Sequence, residues 1–240
     1  MCKLRMSFVS VSLVGLLSLG SSFAAVGTAQ DGALMGDDYF KIASVEVEKD
    51  VAAYEVADQY LAPTGAGDKN LGEVIMVVDQ LIALGKKIWP IIEAGRPVVN
   101  TNLPVVHVLP REAGQDGSLY DLSNWDAPKA IGYRVTYKNF YGMEVIAFTY
   151  SISFQPGGQF NGKGAYISGA SVTANNVKVS WGFDFSAKSE VVAITNRGSR
   201  ENPVAGLTLK ISYIAKSVLS DIRNSYNYHL TGRGAINQVE

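Results

Sequence analysis

MEVIAFTYSISF, running from Met143 to Phe154, decides the fold class. Ile146, Phe148, Tyr150, Ile152 and Phe154 fall on every second residue, the period of a strand that buries one face. They are β-branched and aromatic residues, which pack well on a pleated surface. Between them Val145, Ala147, Thr149, Ser151 and Ser153 are smaller and more polar, as a solvent-facing side requires.

The same alternation recurs on both sides of this stretch. Ile131, Tyr133, Val135 and Tyr137 alternate with Gly132, Arg134 and Thr136. Gln155-Pro156-Gly157-Gly158 reads as a turn, followed by a glycine-rich strand from Phe160 to Thr173 and a tight hairpin turn at Asn175-Asn176. Val177, Val179, Trp181, Phe183 and Phe185 then form a half-buried strand. Val191–Thr195, Leu207–Tyr213 and Ile222–Leu230 complete the series, and Lys41–Glu48 supplies an earlier strand. Strands at this spacing predict an antiparallel β-sandwich. Pro97–Asn100 and Leu103–Leu109 read as short strands whose prolines suit sheet edges.

Two segments read as helix. Asp50–Leu61 fits either helix or strand, with helix preferred. Leu71–Ala94 is the prominent one: polar residues recur at Glu73, Asp79-Gln80, Lys86-Lys87 and Glu93, and nearly everything between them is apolar. That spacing predicts a helix with a narrow polar stripe, kinked near Pro90 and stopped by Gly95. It would either pack deeply against the sheet or act as an amphipathic segment entering a membrane or a partner groove. The layout of apolar helix and β-sandwich resembles pore-forming cytolysins in architecture, which implies membrane action as the alternative function.

The N-terminus reads as a secretory signal peptide over residues 1–24. Lys3 and Arg5 precede a Leu/Val/Ser run from Ser7 to Gly20, and Ser22-Phe23-Ala24 supplies small residues for cleavage before Ala25. Gly27-Thr28-Ala29, before Gln30, is a second such site. Residues 25–70 read as a partly loose N-terminal segment, and residues 71–240 as the helix-plus-sandwich domain. Cys2, the one cysteine, leaves with the leader, so the mature chain has neither disulfide nor thiol ligand. Without Lys3 and Arg5, 19 basic residues face 22 acidic ones, a net charge near −3. No long basic run is present, so nucleic acid is not an expected partner.

The search for chemistry is mostly negative. His107 and His229 lie in predicted strands with no adjacent ligand, and no Gly-x-Ser-x-Gly elbow, His-Glu-x-x-His, P-loop or dinucleotide fingerprint occurs. Asp116–Asp126 lacks the spacing of a calcium loop. No cofactor or metal is implied, and the chain reads as non-catalytic. Aromatic placement is the remaining signal: Phe140 and Tyr141 at a turn tip, Trp125 in a loop, and Tyr226 and Tyr228 on one face of the last strand are the candidates for ligand or membrane contact.

These readings converge on an exported, periplasmic or extracellular protein of bacterial type, a binding module for a protein, glycan or lipid. The membrane-acting alternative would use the helix at 71–94 and the exposed aromatics, with peripheral membrane contact. A small outer-membrane barrel is the second alternative. Mass spectrometry of the protein from an exporting host is expected to find a chain starting at Ala25 or Gln30 and lacking Cys2; an intact Met1 would refute export.

Overall fold

The computed structural model describes residues 36–50, 73–98, 104–114 and 121–239. The leader, the helix expected at 50–61 and the loop at 63–70 fall essentially outside these residues. Strand dominates. Helix among the described residues is limited to two single turns, α1 (Asp37–Phe40) and α2 (Arg111–Gly114).

Among the described residues fourteen strands form two sheets. The first has the order β1-β8-β9-β10-β6-β3-β2: β1 (Ile42–Asp50), β2 (Glu73–Val78), β3 (Leu81–Gly85), β6 (Val106–Pro110), β8 (Lys129–Asn139), β9 (Glu144–Phe160) and β10 (Lys163–Val179). The short β7 (Leu122–Ser123) pairs with the far end of β9. The second has the order β14-β13-β12-β11-β4-β5: β4 (Ile88–Glu93), β5 (Arg96–Pro97), β11 (Phe183–Asn196), β12 (Ala205–Ser217), β13 (Asp221–Thr231) and β14 (Ile236–Val239). All pairings between these strands are antiparallel. The sheets do not close into a barrel. The outer-membrane barrel is therefore not the architecture found.

The inward half of the alternation over 143–154 holds, but Val145 and Ala147, expected on the solvent side, are buried as well, and only Thr149, Ser151 and Ser153 are partly open. Ile146, Phe148, Tyr150, Ile152 and Phe154 are all buried. In register beside them on β8 stand Tyr137, Val135, Tyr133 and Ile131. From the opposite sheet Phe185, Tyr213 and Tyr228 meet this layer: Phe148 and Phe185 lie 4.7 Å apart between centroids, Phe148 and Tyr213 5.2 Å, and Tyr133 and Tyr228 4.9 Å. A hydrogen bond of 2.6 Å joins the Tyr150 and Tyr228 hydroxyls across the sandwich.

The helix expected over 71–94 is replaced by three strands. The two polar pairs that seemed to form a stripe mark corners of the chain instead: Asp79-Gln80 turns β2 into β3 and Lys86-Lys87 separates β3 from β4, while Ala94-Gly95, at the expected helix stop, turns β4 into β5. Asp79 and Ala94 hold positive φ angles of 52° and 47°, incompatible with a continuous right-handed helix. The pieces between are rich in Val and Ile, and Leu81, Ile82, Ala83 and Leu84 are all buried. A strand covered on both faces loses its alternation and reads as a solid apolar run, as a buried helix does. Pro90 is tolerated because β5 pairs only Ile92 and Glu93, leaving β4 unpaired on that side at Pro90.

Two expected turns are bulges inside strands. Gln155–Gly158 lies within β9, with Gly157 at φ 90° and a register shift against β10. Asn175-Asn176 lies within β10, where Asn176 takes φ 51° and the register shifts before Lys178. Each inserted residue bends a long strand without ending it. The hairpin between β9 and β10 turns at Asn161-Gly162, with φ angles of 51° and 71°, the type I′ signature. The expected strand over 177–185 is cut at Ser180-Trp181-Gly182, where the chain passes from one sheet to the other.

Ile82→Asp would bury a carboxylate without a partner in β3. We expect a loss of about 4 kcal/mol or more in chemical denaturation, or no folded protein at all; unchanged stability would contradict the three-strand arrangement.

Candidate functional site

The described surface carries eleven exposed large apolar side chains, and six of them sit in three turns: Phe140, Tyr141 and Met143 between β8 and β9, Trp181 between β10 and β11, and Val218 and Leu219 between β12 and β13. Their exposures run from 48% at Leu219 to 78% at Val218. Single exposed apolar residues are ordinary on a soluble surface, but such a concentration at one end is not.

The turn α1 gathers these loops. Tyr39 and Phe40 are buried, edge-on to each other with centroids 5.0 Å apart. Tyr39 packs on Phe183 at 5.7 Å, and its hydroxyl donates to the Trp181 carbonyl over 3.3 Å. The Phe40 ring stands 6.0 Å from that of Trp181. The Phe40 carbonyl accepts from the hydroxyls of Ser217 and Ser220, which bracket Val218 and Leu219. Ser220 Oγ also receives the Ile42 amide at 3.1 Å. Gly182, at φ 83°, leaves room for the Phe40 ring: a Cβ there would come within 2.6 Å of Cε1.

Asn139 builds the third loop. It is fully buried, and its Oδ1 accepts from the amides of Tyr141 at 3.1 Å and Met143 at 2.9 Å. Its Nδ2 donates to the Tyr39 carbonyl over 3.2 Å. Backbone bonds from Asn139 N to Met143 O and from Gly142 N to Asn139 O close the turn. The amides of Asn139, Tyr141, Gly142 and Met143 are thereby bonded within the turn, leaving the side chains of Phe140, Tyr141 and Met143 exposed.

Beside Trp181 lies a shallow open groove of about 680 Å³, bordered by Arg96, Lys178 and Val179 as well as Gly182. Lys178 makes no ion pair among the described residues, and Arg96 stands in register across from Glu93. Ion pairs around this end join Lys41 to Asp38 at 3.0 Å, Lys138 to Glu46 at 2.8 Å, and Asp221 to Arg223 at 3.1 Å and Lys216 at 3.7 Å.

The five sequence candidates are not brought together. Phe140 and Tyr141 belong to the tip. Trp125 is half-buried over Gly158, where a Cβ would come within 2.4 Å of its ring. That is the other end of β9, roughly 45 Å of extended chain from Glu144. Tyr228 is in the core, its phenol pushed up by burial and so neutral, and Tyr226 packs on Tyr213 at 5.8 Å. Sequence reasoning missed Trp181, Val218 and Leu219. Trp181 looked like one more member of an alternating strand, and Val218-Leu219 fell between two expected strands and drew no reading; the flanking serines were the available signal.

Nothing among the described residues gathers three or more metal-ligating side chains. No helix there is long and apolar enough to cross a membrane. His107 Nδ1 lies 3.1 Å from Ser168 Oγ and accepts the Gly169 amide at 3.3 Å. Both side chains are buried, and burial pushes the imidazole down to about 4. A base so weak and so enclosed is poorly matched to activating a serine at neutral pH. His229 is also held below its usual range, first by burial and then by Arg197.

Comparison with known proteins returned no matching family, no matching curated protein and no matching solved structure.

The His107 environment sets a pH dependence. The unfolded imidazole titrates near 6.5 and the folded one near 4, so between these values the unfolded chain binds the extra proton. Stability is therefore complete above pH 6.5 and falls as pH drops toward 4, by roughly 3 kcal/mol. Urea melts across this window are expected to show that slope, and His107→Gln to flatten it.

Proposed function

We propose that the protein is an exported, non-catalytic interaction module whose contact surface is the tip formed by Phe140, Tyr141, Met143, Trp181, Val218 and Leu219. One observation carries the reading: three loops far apart in sequence deliver their apolar side chains to one end, while α1 and Asn139 absorb the polar groups beneath. Leaving those side chains in water brings no folding benefit, since the core is complete below them. Contact with a partner gives their exposure a purpose.

The buried His107–Ser168 pair supports the non-catalytic part, because it offers neither a strong base nor an open approach. Export rests on the leader-like composition of residues 1–24. The form of membrane action that needed a helix over 71–94 is withdrawn with that helix.

A photo-crosslinking amino acid placed at Tyr141, in the protein expressed in an exporting host, tests the surface. The control position is Arg233, exposed in the β13–β14 turn at the opposite end. Adducts to any cellular component are expected at least tenfold more often from position 141. Equal labelling from both positions would overturn the assignment, as would a hydrolytic activity abolished by His107→Gln.

A further inference from the structure

We infer that the tip docks on a phospholipid bilayer, entering the boundary between headgroups and acyl chains. This rests on the reading of the tip as the contact surface and names the partner. Three features favour a lipid surface over a protein. The six side chains project from three turns with exposures of 48% to 78%, and the one groove that any of them borders, beside Trp181, is shallow and open. Protruding anchors suit a fluid medium that closes around them, whereas a protein partner would need three matching sockets.

The residue types also fit that boundary. Trp181 and Tyr141 carry an apolar ring with a polar handle, the combination that favours the headgroup level, and Phe140, Met143, Val218 and Leu219 suit the apolar side of it. Depth is bounded by the structure beneath. Asn139, Ser217 and Ser220 are occupied by turn and α1 contacts, and the ion pairs Lys41–Asp38 and Lys138–Glu46 lie around the same end. Charged pairs are costly in hydrocarbon, so the tip enters and the sandwich stays outside. Docking of this kind needs no spanning segment.

Charge supplies the third feature. Lys178 borders the groove beside Trp181, exposed and without an ion pair among the described residues, so that a lipid phosphate at headgroup level can meet its ammonium. Arg96 borders the same groove opposite Glu93, and Asp37 lies close by on α1, so the preference for anionic lipid is modest.

The test is flotation of the protein, purified from an exporting host, with vesicles of phosphatidylcholine alone and of phosphatidylcholine with phosphatidylglycerol. Binding to both is expected, tighter to the anionic vesicles. Trp181 emission should move to shorter wavelength and be quenched by bromine-labelled acyl chains; Trp181→Phe should remove that change, because Trp89 is buried and Trp125 lies at the other end. Phe140→Ser with Leu219→Ser should weaken binding to both vesicle types at least tenfold. Lys178→Gln should weaken only the anionic case, by about fivefold. These side chains are exposed, so melting temperatures should stay within a few degrees of wild type; if the double variant melts early, the quenching of wild-type Trp181 decides. Failure of the wild type to float with either vesicle, no quenching of Trp181, or undiminished binding by a folded double variant would overturn lipid docking. Protein adducts from position 141 with no vesicle binding would leave the contact surface standing and refute only the lipid partner.

Discussion

Everything in this fold depends on one aromatic layer between the two sheets. Tyr133, Phe148 and Tyr150 from one side interleave with Phe185, Tyr213 and Tyr228 from the other, at centroid separations of 4.7 to 6.3 Å. Rings of this size bury much area per residue, and offset or edge-on pairs add to that burial. The layer also carries phenols into the interior, where a hydroxyl without a partner is destabilising. The Tyr150–Tyr228 bond satisfies two of these hydroxyls and at the same time fixes one sheet against the other, while the Tyr213 hydroxyl is buried without a partner among the described residues.

A layer so thick demands long strands, and long strands twist. β9 and β10 each run for 17 residues. Bulges at Gly157 and Asn176 bend them so that they stay wrapped over the second sheet. Gly157 also donates its amide to Gly232 O, joining the bulge to the β13–β14 turn. Irregularity in β9 and β10 is thus what keeps the two faces in contact along their length.

The two ends of the sandwich are finished differently. At one end Trp125 folds back over Gly158 and closes the core with an aromatic lid. At the other, α1 inserts Tyr39 and Phe40 as the plug, which frees the loop aromatics from that duty. Phe140, Tyr141 and Trp181 are therefore surplus to the core, and that division of labour separates a contact surface from the end of a hydrophobic interior.

The amino-acid sequence by itself determined the β character, the inward-facing core positions of 131–137, 146–154 and 207–213, the antiparallel two-sheet class, and the place of Phe140 and Tyr141, two of the six exposed residues of the tip, in a turn. Period-two patterning is local, and a strand with one wet face displays it in full. Three matters were decided only by tertiary structure. Residues 73–93 became strands because distant strands pair with them, and in β3 the run Leu81–Leu84 is buried on both faces, which erases the alternation that tells strand from helix. Gln155–Gly158 and Asn175-Asn176 became bulges because neighbouring strands continue past them, and a local glycine or asparagine signal cannot report on a neighbour. Tyr228 went to the core and Trp181 to the surface because the partner for each arrives from elsewhere in the chain: Tyr150 across the sandwich for one, α1 beneath the turn for the other. Exposure is a property of what lies opposite, and 78 residues separate Tyr150 from Tyr228.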